Sequence, residues 1–255
     1  MLVMASQILN CRVHATDGEL GHVRDLYFDD RTWRIRYMVV DTHKWLPGRK
    51  VLLSPESAGK VDWAASLLPV NLTREQVRQS PPIETHQPVS RQLEGELARY
   101  FSWPLYWTPD AMPIDGPLWP QVLLNPPEQT QLSEPDLRST DEVRGYRILA
   151  QDGEVGQVSG YLIQSDEWVI RYFVIDTGRW LPGKKVLISP AWVQSVSWGD
   201  HEVVVRLTRR DIEKSPPFDP SRPIDRAYEE GLHNHYHQRL YWDARDISQA
   251  KTRHA

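Results

Sequence analysis

His233, His235 and His237 stand at alternate positions near the carboxy-terminal end of the sequence. On a helix His233 and His237 would share a face, and two imidazoles four residues apart could hold a divalent metal. No cysteine or carboxylate motif lies beside them, so a solvated polar helix face is the simpler reading. Asp17 with Glu19, and Asp152 with Glu154, offer carboxylate pairs of the kind used in acid–base chemistry. Both pairs flank an Asp-Gly step, where Asp bonding its own turn backbone explains the residue without chemistry. Arg36 and Arg171 sit between apolar neighbours. They could pair with Asp41 and Asp176, the preferred reading, or give a partner a bidentate anchor. Nucleophilic catalysis finds no support: Cys11 is the one cysteine, and no Gly-x-Ser-x-Gly elbow, phosphate-binding loop or dinucleotide fingerprint occurs. No catalytic set and no cofactor is expected. Tryptophan is the remaining signal, with Trp45 and Trp180 at the start of loops and Trp107 and Trp242 beyond the strand-rich segments; these four, with Arg36 and Arg171, are the candidate partner-binding residues.

What must position these groups is an internal repeat. Asp17-Gly18-Glu19 returns as Asp152-Gly153-Glu154, an offset of 152 − 17 = 135. At that offset Arg36-Tyr37 meets Arg171-Tyr172, Asp41-Thr42 meets Asp176-Thr177, and Trp45-Leu46-Pro47-Gly48 meets Trp180-Leu181-Pro182-Gly183. Leu72-Thr73-Arg74, Ser80-Pro81-Pro82 and Leu105-Tyr106-Trp107 recur in the same way. Between Asp17 and Pro55, 21 of 39 positions are identical to their counterparts. The histidines do not recur: their counterparts are Ala98, Tyr100 and Ser102, so a metal site would belong to the second copy alone. The organisation read from this is a first repeat over 1–107, a linker over 108–142, a second repeat over 143–242 and a polar tail over 243–255.

Charge separates the same parts. The chain carries −4 in all, from 30 basic and 34 acidic side chains. Residues 108–142 hold seven prolines and one arginine against seven acids, or −6, while the repeats are at +1 and zero. Near-neutral repeats argue against a nucleic-acid partner, with Arg206, Arg209 and Arg210 the one local cluster. A lone cysteine, no signal-type amino terminus and no apolar run of about 18 residues make a soluble, cytoplasmic protein the expectation.

Within each repeat the signals are mostly β. Asp-Gly marks a tight turn, Trp33–Asp41 and Trp168–Asp176 alternate and are rich in β-branched and aromatic residues, and Pro-Gly follows as a turn. Five to six short strands predict a small closed or nearly closed barrel. Thr73 and Thr208, with Gln76 and Asp211 three residues on, predict capped helices that Ser-Pro-Pro stops. A second helix is expected near 89–101 and 223–237. The fold class is therefore mainly β, two small barrels related by internal duplication, each with short carboxy-terminal helices.

The order of elements, with Asp-Gly-Glu-x-Gly-x-Val, Arg-Tyr-x-Val-x-Asp, Val-Leu-x-Ser-Pro and Leu-Thr-Arg recurring at both copies, resembles the PRC-barrel family. That family includes the cytoplasmic domain of the photosynthetic reaction-centre H subunit and the carboxy-terminal domain of a ribosome maturation factor. The resemblance covers both repeats and leaves the linker and tail aside. It implies a barrel that docks on macromolecular partners, with no catalytic residues to carry over. The sequence lacks the membrane helix of the first relative and the second domain of the other. It is more similar to a tandem PRC-barrel protein of the kind sometimes linked to stress responses. The expected function is thus a non-enzymatic adaptor that binds protein partners or self-associates, as a homodimer or through pseudo-twofold packing of its repeats. The alternatives are a metal-binding or enzymatic protein using His233, His235 and His237, and an RNA-processing, ribosome-associated factor.

Overall fold

In the computed structural model, which describes residues 1–42, 45–83, 89–107, 137–178 and 180–243, the alternating runs are strands and the chain is mainly β, in two sheets. One compact unit comprises Ser6–Glu142 with Glu167–Val169, and is called amino-terminal here. The other, carboxy-terminal, comprises Met1–Ala5, Val143–Asp166 and Ile170–Ala255.

The amino-terminal unit contains β2 (Arg12–Ala15), β3 (Gly18–Asp29), β4 (Ile35–Asp41), β5 (Lys50–Leu53) and β6 (Leu67–Pro69), in the order β5-β4-β3-β2-β6. The carboxy-terminal unit contains β8 (Arg147–Ala150), β9 (Gly153–Gln164), β10 (Val169–Asp176), β11 (Lys185–Ile188), β12 (Val193–Ser197) and β13 (Glu202–Val205), in the order β11-β10-β9-β8-β13-β12. Pairing is antiparallel except for β2 with β6 and β8 with β13. Each path is open, so of the closed or nearly closed barrel expected from strand count the described residues do not form the closed one. The physical reason lies after β5 and β11. Ser54-Pro55 and Ser189-Pro190 turn into one-turn 3-10 segments, where proline has no amide to offer a further ladder.

The last strand pair also differs between the units. In the carboxy-terminal unit β12 and β13 pair as a ladder. In the amino-terminal unit the same place holds only the bridges Ala58 to Val70 and Asp62 to Leu67. Val193 and Gln194 open the ladder, whereas the poorer strand formers Ala58 and Gly59 stand at the same two places of the amino-terminal unit.

Asp-Gly opens β3 and β9 as expected, and a second glycine follows at a bulge. Gly21 has φ +143° and its missing Cβ would sit 1.9 Å from the Asp41 carbonyl oxygen; Gly156 faces the Asp176 carbonyl at 2.1 Å. Only glycine lets those strands approach so closely. Inside each sheet, Val13, Val23, Leu26, Met38, Leu53 and Leu68, or Ile148, Val155, Phe173, Ile175, Ile188 and Val203, are fully buried. Each such side chain contributes about 1.5–3 kcal/mol of apolar burial.

Strands outside the main paths complete both sheets. β1 (Leu2–Met4) pairs with β9 through Leu2–Gln164, Val3–Ile163 and Met4–Leu162. β7 (Leu137–Ser139) pairs with β3 through Leu137–Asp29, Arg138–Phe28 and Ser139–Tyr27. The two registers are equivalent, since 137 − 2 and 164 − 29 both equal 135. The strand that precedes each repeat in sequence therefore lies in the sheet of the other repeat. β7 and all but the last residue of helix α4 (Thr140–Val143) fall within the span read as linker. Asp25 anchors them by accepting hydrogen bonds from the Ser139 and Thr140 hydroxyls at 2.5 and 2.8 Å. Residues 108–136 and 244–255, including Trp119, lie outside the described residues.

Helix α1 (Ala5–Leu9) follows β1. Helices α2 (Arg74–Gln79) and α5 (Arg209–Glu213) start at the expected capping boxes of Thr73 with Gln76 and Thr208 with Asp211. Asp17 and Asp152 serve these helices: the Arg74 and Arg209 amides donate to their carboxylates at 2.8 and 2.7 Å. This replaces the expected bond to their own turn. Helices α3 (Arg91–Phe101) and α6 (Arg226–His235) are capped by Ser90 and Asp225. Among the described residues, no helix is long and apolar enough to cross a membrane.

Candidate functional site

Each unit buries one carboxylate under its last helix. In the amino-terminal unit α3 brings Glu94, fully buried, over Tyr37 of β4. The Tyr106 hydroxyl donates to Glu94 Oε2 at 2.7 Å, Arg91 Nη1 reaches Oε1 at 3.1 Å, and Tyr37 is hydrogen-bonded to the same carboxyl. Burial pushes Glu94 up to about 7, against the opposing pull of Tyr106 and Arg91. The phenols of Tyr37 and Tyr106 are raised by burial and by the carboxylate beside them.

The carboxy-terminal unit repeats this frame. Oε1 of Glu229 on α6 lies 3.0 Å from the Tyr172 hydroxyl of β10 and accepts from the Tyr241 hydroxyl at 3.0 Å. Arg226 lies over the Trp242 ring at 4.3 Å, as Arg91 lies over Trp107 at 4.8 Å. Burial raises Glu229 as well. The packing partner of the central tyrosine comes from a different element in each unit. Trp103, just after α3, packs 6.4 Å from Tyr37, whereas Trp192, after β11, packs 6.4 Å from Tyr172. Gln238 stands where Trp103 does and Ser57 where Trp192 does.

The predicted residues fall as follows. Arg36 does not meet Asp41. Its Nη2 is 3.1 Å from Asp29 Oδ2, and its guanidinium stacks 3.7 Å above the Tyr106 ring. Burial works against the Asp29 charge, yet the Thr32 and Arg31 amides and Arg36 hold its carboxyl below the ordinary value. Arg171 donates from Nε to Gln164 at 2.7 Å and stacks 4.2 Å from Tyr241. The strand geometry decides this: Asp29 and Gln164 occur at the far end of β3 and β9, beside these arginines, whereas Asp41 pairs with Arg24 at 3.4 Å. Trp45 and Trp180 are half-buried beneath Arg74 and Arg209, at 4.7 and 4.8 Å. Trp45 Nε1 also donates to the Leu20 carbonyl at 2.5 Å. The loops that carry them fold around Thr42 and Thr177, whose hydroxyls face the carbonyls of Leu46 and Arg49, and of Leu181 and Lys184. Trp33 and Trp168, expected inside strands, instead occupy left-handed turns before β4 and β10, with φ 59° and 54°.

The histidines do not share one helical face. α6 ends at His235, and His237 beyond it has φ 52°. His233 is buried, with Nδ1 2.8 Å from the Arg239 carbonyl and Nε2 2.9 Å from the Tyr172 hydroxyl. His235 points its Nε2 at the Asp211 carbonyl, 2.7 Å away, and so ties α6 to α5. Among the described residues, no group of three or more His, Cys, Asp or Glu side chains could hold a metal.

Glu94 and Glu229 escape sequence reasoning because they look like ordinary helix-surface acids. The signal was present at the repeat offset: Arg91, Glu94, Leu97 and Tyr106 recur as Arg226, Glu229, Leu232 and Tyr241 in an otherwise divergent stretch.

A mainly antiparallel sheet opened by an Asp-Gly turn, bulged at a glycine and followed by a proline-broken strand defines a β domain. Residues 3–67 match the PRC-barrel domain, so the amino-terminal part of the chain contains one. No curated protein matches the chain.

Proposed function

We propose that the protein is a non-enzymatic interaction module built from two PRC-barrel-type units that arose by duplication, and that it binds a protein partner or a second copy of itself. The observation that supports this is the equivalent register of the two exchanged strands, β1 on β9 and β7 on β3. A chain arranged in this way presents two related copies of one surface, as an adaptor requires. The polar and aromatic groups that could have done chemistry are engaged in holding helices and loops: Asp17 and Asp152 on helix amides, and the arginines on tyrosine and tryptophan rings.

Trp45 under Arg74, with its counterpart Trp180 under Arg209, is the pair of positions we assign to partner contact. Both are half-buried aromatic anchors with a guanidinium alongside, a combination enriched at interface centres. Affinity capture from the native cell, combined with light scattering of the purified chain, tests the reading. Recovery of a partner, or dimerisation, that is weakened at least tenfold by the Trp45→Ala, Trp180→Ala double variant supports it. A monomer that recovers nothing overturns it.

A further inference from the structure

Proton counting at the buried end of α6 leads further than the shared frame. His233 Nδ1 faces the Arg239 carbonyl, so that nitrogen must carry a hydrogen. Nε2 then faces the Tyr172 hydroxyl at 2.9 Å, and the same hydroxyl faces Glu229 Oε1 at 3.0 Å. Tyr172 owns one hydrogen and cannot satisfy both neighbours. With His233 neutral and Glu229 ionised, either Nε2 and the phenol oxygen or the phenol and carboxylate oxygens meet lone pair to lone pair. One added proton removes the conflict.

We propose that Glu229 holds that proton, so that Tyr241, Glu229, Tyr172 and His233 form a chain of donors running one way, from Tyr241 O–H to the Arg239 carbonyl. Glu229 then donates to the Tyr172 oxygen, Tyr172 donates to His233 Nε2, and Tyr241 donates to Glu229. The proton comes from solvent on folding and returns to it when the site opens.

The amino-terminal unit lacks this site. Ala98 stands where His233 does, so Tyr37 has no imidazole to serve, and Glu94 meets Arg91 at 3.1 Å. The charged and titratable groups around the chain are Arg171 over Tyr241, Arg226 over Trp242, and Asp243 near His233. Burial opposes an ionised Glu229, whereas the Tyr172 and Tyr241 hydroxyls and, after them, the two arginines favour it, with the guanidiniums resting on aromatic rings. Burial raises the Glu229 carboxyl and lowers the His233 imidazole, and both directions favour the added proton on the carboxyl. The added proton thus completes a hydrogen-bond chain that joins α6 and Tyr241 to β10.

Carboxyl carbon NMR of the full chain labelled at glutamate tests this, with Glu229→Gln identifying the resonance. The expected result is a Glu229 midpoint raised above the ordinary value near 4.3. His233→Ala, which installs the residue of the other copy, should lower that midpoint by about one pH unit or more, because Tyr172 becomes free to donate to the carboxylate. The Glu94 resonance should not move. Should His233→Ala fail to fold, nitrogen NMR of the wild-type imidazole decides: neutral His233 with hydrogen on Nδ1 at pH 7 supports the chain. A doubly protonated His233, a Glu229 midpoint in the ordinary range, or one unchanged by His233→Ala overturns it.

Discussion

A buried carboxylate changes how stability depends on pH, and Glu94 shows the sign. Its folded value, about 7, is raised above the unfolded value near 4.3. The stability it contributes is therefore complete below about pH 4.3 and is lost as pH rises through 7. The difference amounts to roughly 4 kcal/mol across that window. Glu94→Gln resembles the protonated acid and should remove that dependence. Urea midpoints of the variant should match wild type near pH 4 and exceed it near pH 8; a variant less stable than wild type at pH 8 would show that the Arg91 ion pair outweighs burial. At this scale the sequence was only partly legible. Arg36, Arg171 and the repeated tryptophans stood out by type and recurrence. Glu94 and Glu229 did not, because helical spacing alone cannot tell a solvated glutamate from one that a tyrosine-bearing strand has covered.

At the scale of elements, helix caps and turns were readable because they depend on neighbours in sequence. Thr73 with Gln76, and Thr208 with Asp211, form the boxes their spacing predicts. The Asp17 link to the Arg74 amide spans 57 positions and was not readable. The strands β1 and β7 were missed for the same reason: three residues carry too little pattern to name a partner strand. Deleting Met1–Met4 should leave Leu162–Gln164 unpaired on one side of β9. Hydrogen exchange should then accelerate at 162–164, by about tenfold or more, while Tyr27–Asp29 remains protected by β7. Equal acceleration at both places would indicate general destabilisation rather than loss of one ladder.

For the whole molecule, the strand exchange decides what happens when the chain is cut. A protease site introduced within residues 108–136 would separate the two repeats covalently, yet β1 would still belong to the sheet containing β9, and β7 to the sheet containing β3. The nicked protein should elute as one species in size-exclusion chromatography and separate in denaturant; two species under native conditions would contradict the exchange. Sequence by itself determined the repeat, its offset of 135, the β character of each copy, the helix starts and the acidic, proline-rich segment between copies. All of these are local propensities or identities that survive without knowledge of the fold. Tertiary structure alone decided that the sheets stay open, that each accepts its extra strand from ahead of the other repeat, and that one glutamate per unit is buried among tyrosines. Those outcomes depend on which distant residues a strand or helix meets. Because loop closure costs little more for a long connection than for a short one, spacing along the chain does not select those partners.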